Sequence, residues 1–315
     1  MEMTETRLQV VAAPLQGFTD EVWRCFHRRV YGDSVERYYT PFLRVEKGQV
    51  RTRDVRGLRS DLNAGVSVVP QVIFNSIEEF VKLVDVVEEC GFRAVAMNMG
   101  CPFPPQVHHG RGSALLRRPE LLEEITGVIR ERYPQMEFSA KMRLGVERPD
   151  EWRGVIGIIN AMNLTHVTVH PRVATQQYRG ELYTEEFRRL RDECRHPVIF
   201  NGDVTSVNSI EKLQREYAGL KTVMIGRGML IRPSLAAEYA EGEEWNRVRR
   251  IDHIMQLHTH LYDYYIGSLS GDAHVLQKMK PFWEYLEAEI GHKAFKQIKK
   301  ATTLAKYLAA VGSVE

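Results

Sequence analysis

The chain has 315 residues, of which 43% are hydrophobic and 27% are charged, and its formal net charge is +2. This composition is typical of a folded globular protein and excludes collagen-like, coiled-coil and disordered classes. The small positive charge does not by itself indicate a nucleic-acid ligand, because phosphate binding depends on where Lys and Arg cluster.

Cysteine usage and the N-terminus indicate a reducing compartment. The four cysteines, Cys25, Cys90, Cys101 and Cys194, lie far apart without a CxxC pair, a spacing that predicts neither a zinc site nor a disulfide framework. Residues 1–9 are polar and unlike a signal peptide, and no apolar run approaches membrane-spanning length. We therefore expect a cytoplasmic protein with no metal and no membrane contact.

Eight short apolar segments recur along the first 225 residues. Several are continuously apolar and do not alternate, which is typical of parallel strands that are covered on both faces. Helix-like stretches separate most of them, and the pattern predicts an α/β fold of the TIM (β/α)8 barrel type. The predicted strands are 10–15, 35–42, 66–74, 94–99, 137–144, 166–170, 197–201 and 222–225.

The stretches between these strands carry helix signals. Residues 76–90 begin with a capping Ser76 and stop at Gly91, and their apolar residues recur at helical spacing. Residues 119–133 and 206–217 have similar signals.

The chain changes character after the eighth strand. Helical stretches at 251–265, 273–289 and 293–310 follow a charged stretch, and Gly267, Gly271 and Gly291 are expected to break them. Earlier, the arginine-rich residues 44–63 indicate a long excursion over the barrel mouth. The sequence predicts a catalytic barrel domain at 1–242 and a small all-helical domain at 243–315.

Candidate active-site residues follow the predicted strands, because barrel enzymes place such groups at the carboxyl ends of their strands. The loops after the last two strands carry Asn201-Gly202-Asp203 and Gly226-Arg227-Gly228. A lone Gly-Arg-Gly is more often a bare turn, but the pair of loops favours a phosphate site. Other strand ends carry Pro14, Leu15, Gln16, Gln71, Asn98, Cys101, Lys141, Arg143, His170 and Arg172.

Lys141 and Arg143 share one face of their strand. An interior lysine implies an anion, an electron-rich ring or a Schiff base, whereas the alternative is a strand end whose cations reach solvent. His170 is equally compatible with a structural and a functional role. Cys101, between Gly100 and Pro102, is a candidate nucleophile or proton donor, and no local base decides between these roles.

Six segments together resemble the flavin-dependent tRNA dihydrouridine synthases. The resemblance is strong over 11–228 and weaker in the helical tail. The chain departs from the family at Thr40-Pro41, where many relatives have Thr-Glu, and within 104–111, where the family's common lysine is absent. The segments are APLQGFTD at 13–20, NMGCP at 98–102, KMRLG at 141–145, VHPR at 169–172, NGD at 201–203 and GRG at 226–228.

The resemblance implies a barrel that holds FMN and a helical domain that helps to grip tRNA. NADPH would reduce FMN, hydride would pass to C6 of a D-loop uridine, and Cys101 would give a proton to C5. Implied FMN contacts are Pro14, Leu15, Gln16, Gln71, Lys141, His170, Asn201, Gly202, Asp203, Gly226 and Arg227. Implied substrate contacts are Arg44, Asn98, Arg143, Tyr178, Lys278, Lys280 and Tyr285.

Chain length and residues 177–179 favour the bacterial branch that acts on uridine 16, and we expect a monomer. Three other functions remain open from the sequence. They are a free-pyrimidine flavoenzyme of the dihydroorotate dehydrogenase type, a Schiff-base aldolase that uses Lys141, and a non-catalytic RNA-binding barrel.

Overall fold

A computed structural model describes residues 7–314, so part of the polar segment 1–9 lies outside the described residues. The strands are β1 (Gln9–Ala12), β2 (Arg37–Tyr39), β3 (Val45–Glu46), β4 (Gln49–Val50), β5 (Val68–Val69), β6 (Gln71–Val72), β7 (Ala94–Met99), β8 (Glu137–Gly145), β9 (Leu164–Val173), β10 (Val198–Phe200) and β11 (Thr222–Ile225).

The α-helices of the barrel region alternate with these strands. They are α1 (Glu21–Tyr31), α2 (Thr52–Leu58), α3 (Ile77–Glu89), α4 (Pro104–His108), α5 (Pro119–Arg132), α6 (Ile156–Ala161), α7 (Thr184–Glu193) and α8 (Val207–Glu216). After β11 come α9 (Arg227–Ile231), α10 (Leu235–Glu241), α11 (Arg247–Ser268), α12 (Asp272–Met279), α13 (Glu287–Ile290), α14 (His292–Lys300) and α15 (Leu304–Val311).

Nine strands form one parallel sheet in the order β5-β2-β1-β11-β10-β9-β8-β7-β6. Its two edge strands, β5 and β6, are separated in the chain only by Pro70, which has no N–H to donate to a ladder. Val69 in β5 pairs with Tyr39, whereas Gln71 in β6 pairs with Ala96. The two edges are therefore parts of one strand of the wall, and the predicted eight-stranded TIM barrel is confirmed.

Strand alternation divides the apolar residues between two cores. Val95, Met97 and Met99 are fully buried and belong to the large core between the barrel wall and the outer helices. A smaller core fills the barrel interior and comprises Val11, Ala13, Tyr39, Val69, Ala96, Ile199 and Met224. The wall is thus packed on both faces, as the near-continuous apolar strands predict.

The predicted helix caps are confirmed. Ser76 Oγ accepts a hydrogen bond from the Glu79 amide at 3.2 Å at the start of α3. Ser206 Oγ accepts from the Ser209 amide at 3.1 Å at the start of α8. Each bond satisfies one of the backbone donors that a helix start leaves unpaired.

The helical tail differs from its prediction in three places. The expected break at Gly267 is wrong, because α11 continues to Ser268, whereas Gly271 and Gly291 do lie at helix boundaries with φ near +85°. The predicted helix 273–289 is interrupted by a 3-10 turn because Pro281 cannot continue an α-helix. The predicted helix 293–310 is divided before α15, and neither Gly nor Pro marks that division.

The tail packs against the first barrel helix through aromatic contacts. The rings of Phe26 in α1 and His260 in α11 stack with centroids 5.3 Å apart. Within the tail, the buried Tyr307 hydroxyl contacts both His258 Nε2 and Trp283 Nε1 at 2.8 Å.

The domain boundary at 242 stays a prediction. Between residues 7 and 314, the helices are too short or too polar to cross a bilayer.

Candidate active site

A cavity of about 670 Å³ opens at the carboxyl ends of the barrel strands. It brings together Cys101, all the predicted FMN contacts, and four of the predicted substrate contacts. Its volume is within the usual range of ligand-binding pockets. The predicted residues that line it are Pro14, Leu15, Gln16, Arg44, Gln71, Asn98, Cys101, Lys141, Arg143, His170, Tyr178, Asn201, Gly202, Asp203, Gly226 and Arg227.

The other three predicted substrate contacts lie elsewhere. Lys278 and Tyr285 line a second cavity, of about 570 Å³, between the loop after β1 and the helical tail. Lys278 Nζ forms an ion pair with Asp20 at 3.1 Å. Lys280 lines neither cavity, and its Nζ donates to the Lys299 carbonyl at 3.0 Å. Their roles as RNA contacts stay predictions.

Asn98 fixes the turn that carries the thiol. Its Oδ1 accepts hydrogen bonds from the backbone amides of Cys101 at 2.8 Å and Gly100 at 3.1 Å. Its Nδ2 donates to Gln71 Oε1 at 2.8 Å. A short side chain at the end of β7 therefore satisfies the amides of the next turn and connects them to the neighbouring strand.

Residues 111–113 form a second segment that packs against Cys101. A Cβ on Gly112 would lie 2.8 Å from Cys101 Cβ, and φ of Gly112 is +62°. The Ser113 amide donates to the Cys101 carbonyl at 3.2 Å. Arg111, one residue earlier, forms a half-buried ion pair with Glu79. Backbone packing and an ion pair thus hold the thiol at the cavity wall.

Burial raises the pKa of the Cys101 thiol. A hydrogen bond from the Phe103 amide and the charges of Arg143 and Lys141 oppose this shift and are the weaker influence. The thiol is therefore neutral near pH 7 and can give up a proton. This protonation state favours the proton donor over the nucleophile, a choice that the sequence leaves open.

Lys141 and Arg143 are two basic residues near the thiol, and no carboxylate pairs with either of them. Within residues 7–314, no Asp or Glu oxygen lies within 4.0 Å of either side chain's nitrogens. Burial, with a smaller contribution from Arg143, lowers the pKa of Lys141 to about 7. Arg143 donates instead to the carbonyls of Gly100 and Val173, each at 3.0 Å. Such a pair suits an anion or an electron-rich ring.

The Asp203 carboxylate is held by two arginines. Arg172 donates to it at 2.5 and 2.9 Å, and Arg227 donates at 3.0 Å. The bonds from Arg172 lower the pKa of Asp203. Because the carboxylate is negative and already paired, any phosphate contact from Asp203 must come from its backbone N–H.

Arg172 lies at the same predicted strand end as His170, and the sequence assigned no separate role to it. It donates to Asp203 and to the Gly180 carbonyl, and its Nη1 lies 3.3 Å from His170 Nε2. Tyr178 lies above this group, with its ring centroid 4.6 Å from Arg227 and 5.5 Å from Arg143.

A comparison with known protein families identifies the family of this chain. The sequence profile described as "Dihydrouridine synthase (Dus)" matches residues 10–311. The chain belongs to the dihydrouridine synthase family. The predicted family is thereby confirmed, and the match covers both the barrel and the helical tail of this dihydrouridine synthase.

Three curated relatives that are similar to this chain come from bacteria. The tRNA-dihydrouridine(16) synthase of Neisseria meningitidis serogroup B is 28% identical over 78% of this chain and 75% of its own length. That of Pseudomonas putida is 29% identical over 75% of each chain. A probable tRNA-dihydrouridine synthase 2 of Bacillus subtilis is 28% identical over 81% of this chain and 78% of its own.

Solved structures with a similar fold include morphinone reductase and 2-naphthoyl-CoA reductase. Morphinone reductase has a TM-score of 0.52 at 12% identity and covers 76% of this chain and 87% of its own. The 2-naphthoyl-CoA reductase complex has a TM-score of 0.55 at 12% identity and covers 75% and 50%. At such identities the similarity shows the barrel fold that this dihydrouridine synthase shares with them.

Proposed function

We propose that this protein reduces the C5–C6 double bond of uridine 16 in tRNA, with bound FMN as its cofactor and NADPH as the reductant. Family membership supports dihydrouridine formation in tRNA, and the relatives named for position 16 support that position. The observation that carries the chemistry is a neutral thiol, Cys101, in one cavity with the carboxylate-free cations Lys141 and Arg143.

The residues present fit a flavin. Gln71 is fully buried, and its Nε2 has no hydrogen-bond partner among residues 7–314, so it offers a donor to a ring acceptor. Lys141 offers a cation to a ring that carries negative charge when reduced. The backbone of Gly202 and Gly226 and the side chain of Arg227 would hold the phosphate.

The protein's own residues would then complete the reduction. When bound, the flavin supplies the hydride that adds to C6 of the uracil. Cys101 Sγ holds the proton that adds to C5, and Asn98 fixes the backbone from which this thiol projects. Lys141 and Arg143 stabilise the thiolate that remains after proton transfer, because their charges lower its pKa.

The target base must leave its stack to reach this cavity, as in other enzymes that act on nucleobases. Arg143 and Arg44, the latter paired with the exposed Glu46, line the cavity and offer cations to the phosphates that flank an extruded nucleotide. The Tyr178 side chain, 47% exposed, offers a ring beside them. These contacts favour a nucleotide in RNA over a free pyrimidine.

The proposal is tested with purified protein, FMN, NADPH and an unmodified tRNA transcript. We expect the transcript to gain two hydrogen atoms, mapped by mass spectrometry to uridine 16, and a transcript with cytidine at that position to remain unmodified. A parallel reaction with NADH in place of NADPH tests which of the two is the reductant. Reduction of free uracil or orotate in preference to tRNA would instead support the dihydroorotate dehydrogenase type.

One observation also fits a second function. A lysine with a pKa near 7, such as Lys141, is suited to Schiff-base formation. Borohydride treatment in the presence of carbonyl compounds would trap an adduct on Lys141 if the barrel were an aldolase. We expect no such adduct.

A further inference from the structure

Phe103 is an exposed aromatic residue next to the thiol. Its side chain is 56% exposed, and it lines the active-site cavity. Among the residues that the structure describes, six large apolar or aromatic side chains are exposed, and only Phe103 and Tyr178 line this cavity. A large exposed ring at the mouth of a binding site is available to stack against a ligand.

The backbone holds this ring in a fixed place. The Phe103 amide donates to Cys101 Sγ, and its carbonyl accepts from the amides of Gln106 at 2.9 Å and Val107 at 3.1 Å. Pro104 opens α4 immediately after it and restricts the chain further. Because the backbone is already ordered, stacking a ligand on the ring costs the protein little conformational entropy.

The surroundings of Phe103 indicate what would cover it. Arg44 and Arg143 line the same cavity, so a partner that brings phosphates beside a flat ring matches both the charge and the shape. Arg44 already pairs with Glu46 and Arg227 with Asp203, so an apolar peptide or ligand would leave Arg143 without an anion. A nucleotide strand satisfies both, since each base has a face that can stack and each phosphate carries a charge.

We propose that the Phe103 ring is a stacking platform for a nucleobase next to the uridine that is reduced. This inference rests on the proposed function, since it takes tRNA as the substrate. The thiol acts on the extruded uracil, while the ring two residues further along the chain holds a neighbouring base. Phe103 is thereby a substrate-binding residue that positions the strand and takes no part in proton transfer.

The test compares Phe103→Ala with the wild type in steady-state dihydrouridine formation at fixed salt concentration. We expect the KM for tRNA to rise about tenfold or more with kcat little changed, which is the effect of losing one base–aromatic stack. Phe103→Tyr and Phe103→Trp should restore the KM. Phe103→Leu should not, because it keeps apolar area but has no aromatic face. Tyr183→Ala, at a 38% exposed aromatic position of the barrel outside the cavity, is the matched control and should behave as the wild type.

Several outcomes would overturn the platform. An unchanged KM in Phe103→Ala, or full rescue by leucine, excludes stacking. Slower flavin reduction by NADPH without RNA would assign the ring to the cofactor site. Concentration-dependent self-association that is lost in Phe103→Ala, with an unchanged KM, would assign it to a second copy of the chain.

A binding measurement separates this proposal from the proposed function. Fluorescence anisotropy with labelled tRNA gives the Kd without turnover. If the wild type forms no dihydrouridine, the proposed function fails. The platform still stands if the wild type binds tRNA about tenfold more tightly than Phe103→Ala, and it fails if the two bind equally.

Discussion

Asn98 Oδ1 accepts a hydrogen bond from the Cys101 backbone amide at 2.8 Å, so a residue near the end of a buried strand also sets the position of the thiol. Replacing Asn98 with Ala leaves this amide and the Gly100 amide without their acceptor, at a cost of about 1–3 kcal/mol in the free energy of unfolding. We expect slower dihydrouridine formation in Asn98→Ala as well, because the thiol loses its orientation.

The measurements for Asn98→Ala are a urea denaturation curve and single-turnover kinetics at saturating tRNA. Unchanged kinetics together with lower stability would show that Asn98 has only a structural role.

Cys101→Ala removes the proposed proton donor and little volume. We expect FMN to bind as in the wild type and dihydrouridine formation to slow by about 10²- to 10⁴-fold, the usual contribution of general acid catalysis. The measurement is the rate of oxidation of the prereduced flavin by tRNA. The rate for Cys101→Ser should lie between those of the wild type and Cys101→Ala, because a hydroxyl is a weaker acid than a thiol. A fully active Cys101→Ala would contradict the proton-donor role.

Gly112→Ala should damage the site through its backbone. The new Cβ would lie 2.8 Å from Cys101 Cβ, and φ of +62° is strained for alanine. We expect a loss of about 1–3 kcal/mol in stability together with reduced activity. Gly127→Ala is the matched control, because no atom lies within 4 Å of its new Cβ and it sits inside helix α5. This variant should be as active and slightly more stable.

The depressed pKa of Lys141, about 7, predicts a pH dependence of cofactor affinity. An electron-rich ring beside Lys141 favours its charged form, so FMN binding takes up a proton when the free enzyme has lost it. Affinity should therefore fall as pH rises from 7 to 9. Fluorescence titration with FMN measures this change. Lys141→Arg should flatten the dependence, because arginine stays charged over this range; an equally steep slope in that variant would exclude Lys141 as its source.

Three buried histidines, His27, His166 and His258, predict loss of stability in acid. Burial lowers the pKa of each from 6.5 to about 4. The unfolded chain therefore binds more protons than the folded protein between these values, so the free energy of unfolding falls as pH drops from 6.5 to about 4.

Urea denaturation at pH 7.5, 6 and 5 measures how the free energy of unfolding changes with pH. His258→Gln, at the contact with the Tyr307 hydroxyl, should weaken the dependence of the free energy of unfolding on pH, because it removes one of the three buried histidines. A free energy of unfolding that stays constant across this range would contradict the prediction.

The sequence allowed the strands and the strand-end residues of the cavity to be predicted, since buried parallel strands and barrel geometry both leave local patterns. It could not show that Asp203 would be paired with Arg172 and Arg227, because these partners meet only after three separate strands assemble. The contact between Lys278 and Asp20 is similar, as 258 positions separate the two residues. Pairings over such distances depend on tertiary packing.

The first and last strands of the barrel are neighbours, with Val10 opposite Val223 and Ala12 opposite Ile225. A ribosome must therefore complete more than two-thirds of the polypeptide before the wall can close. Until then, both margins of the growing sheet present unpaired amides and carbonyls, and such edges invite association between chains. Nascent chains of this enzyme should accordingly depend on chaperones until β11 has emerged.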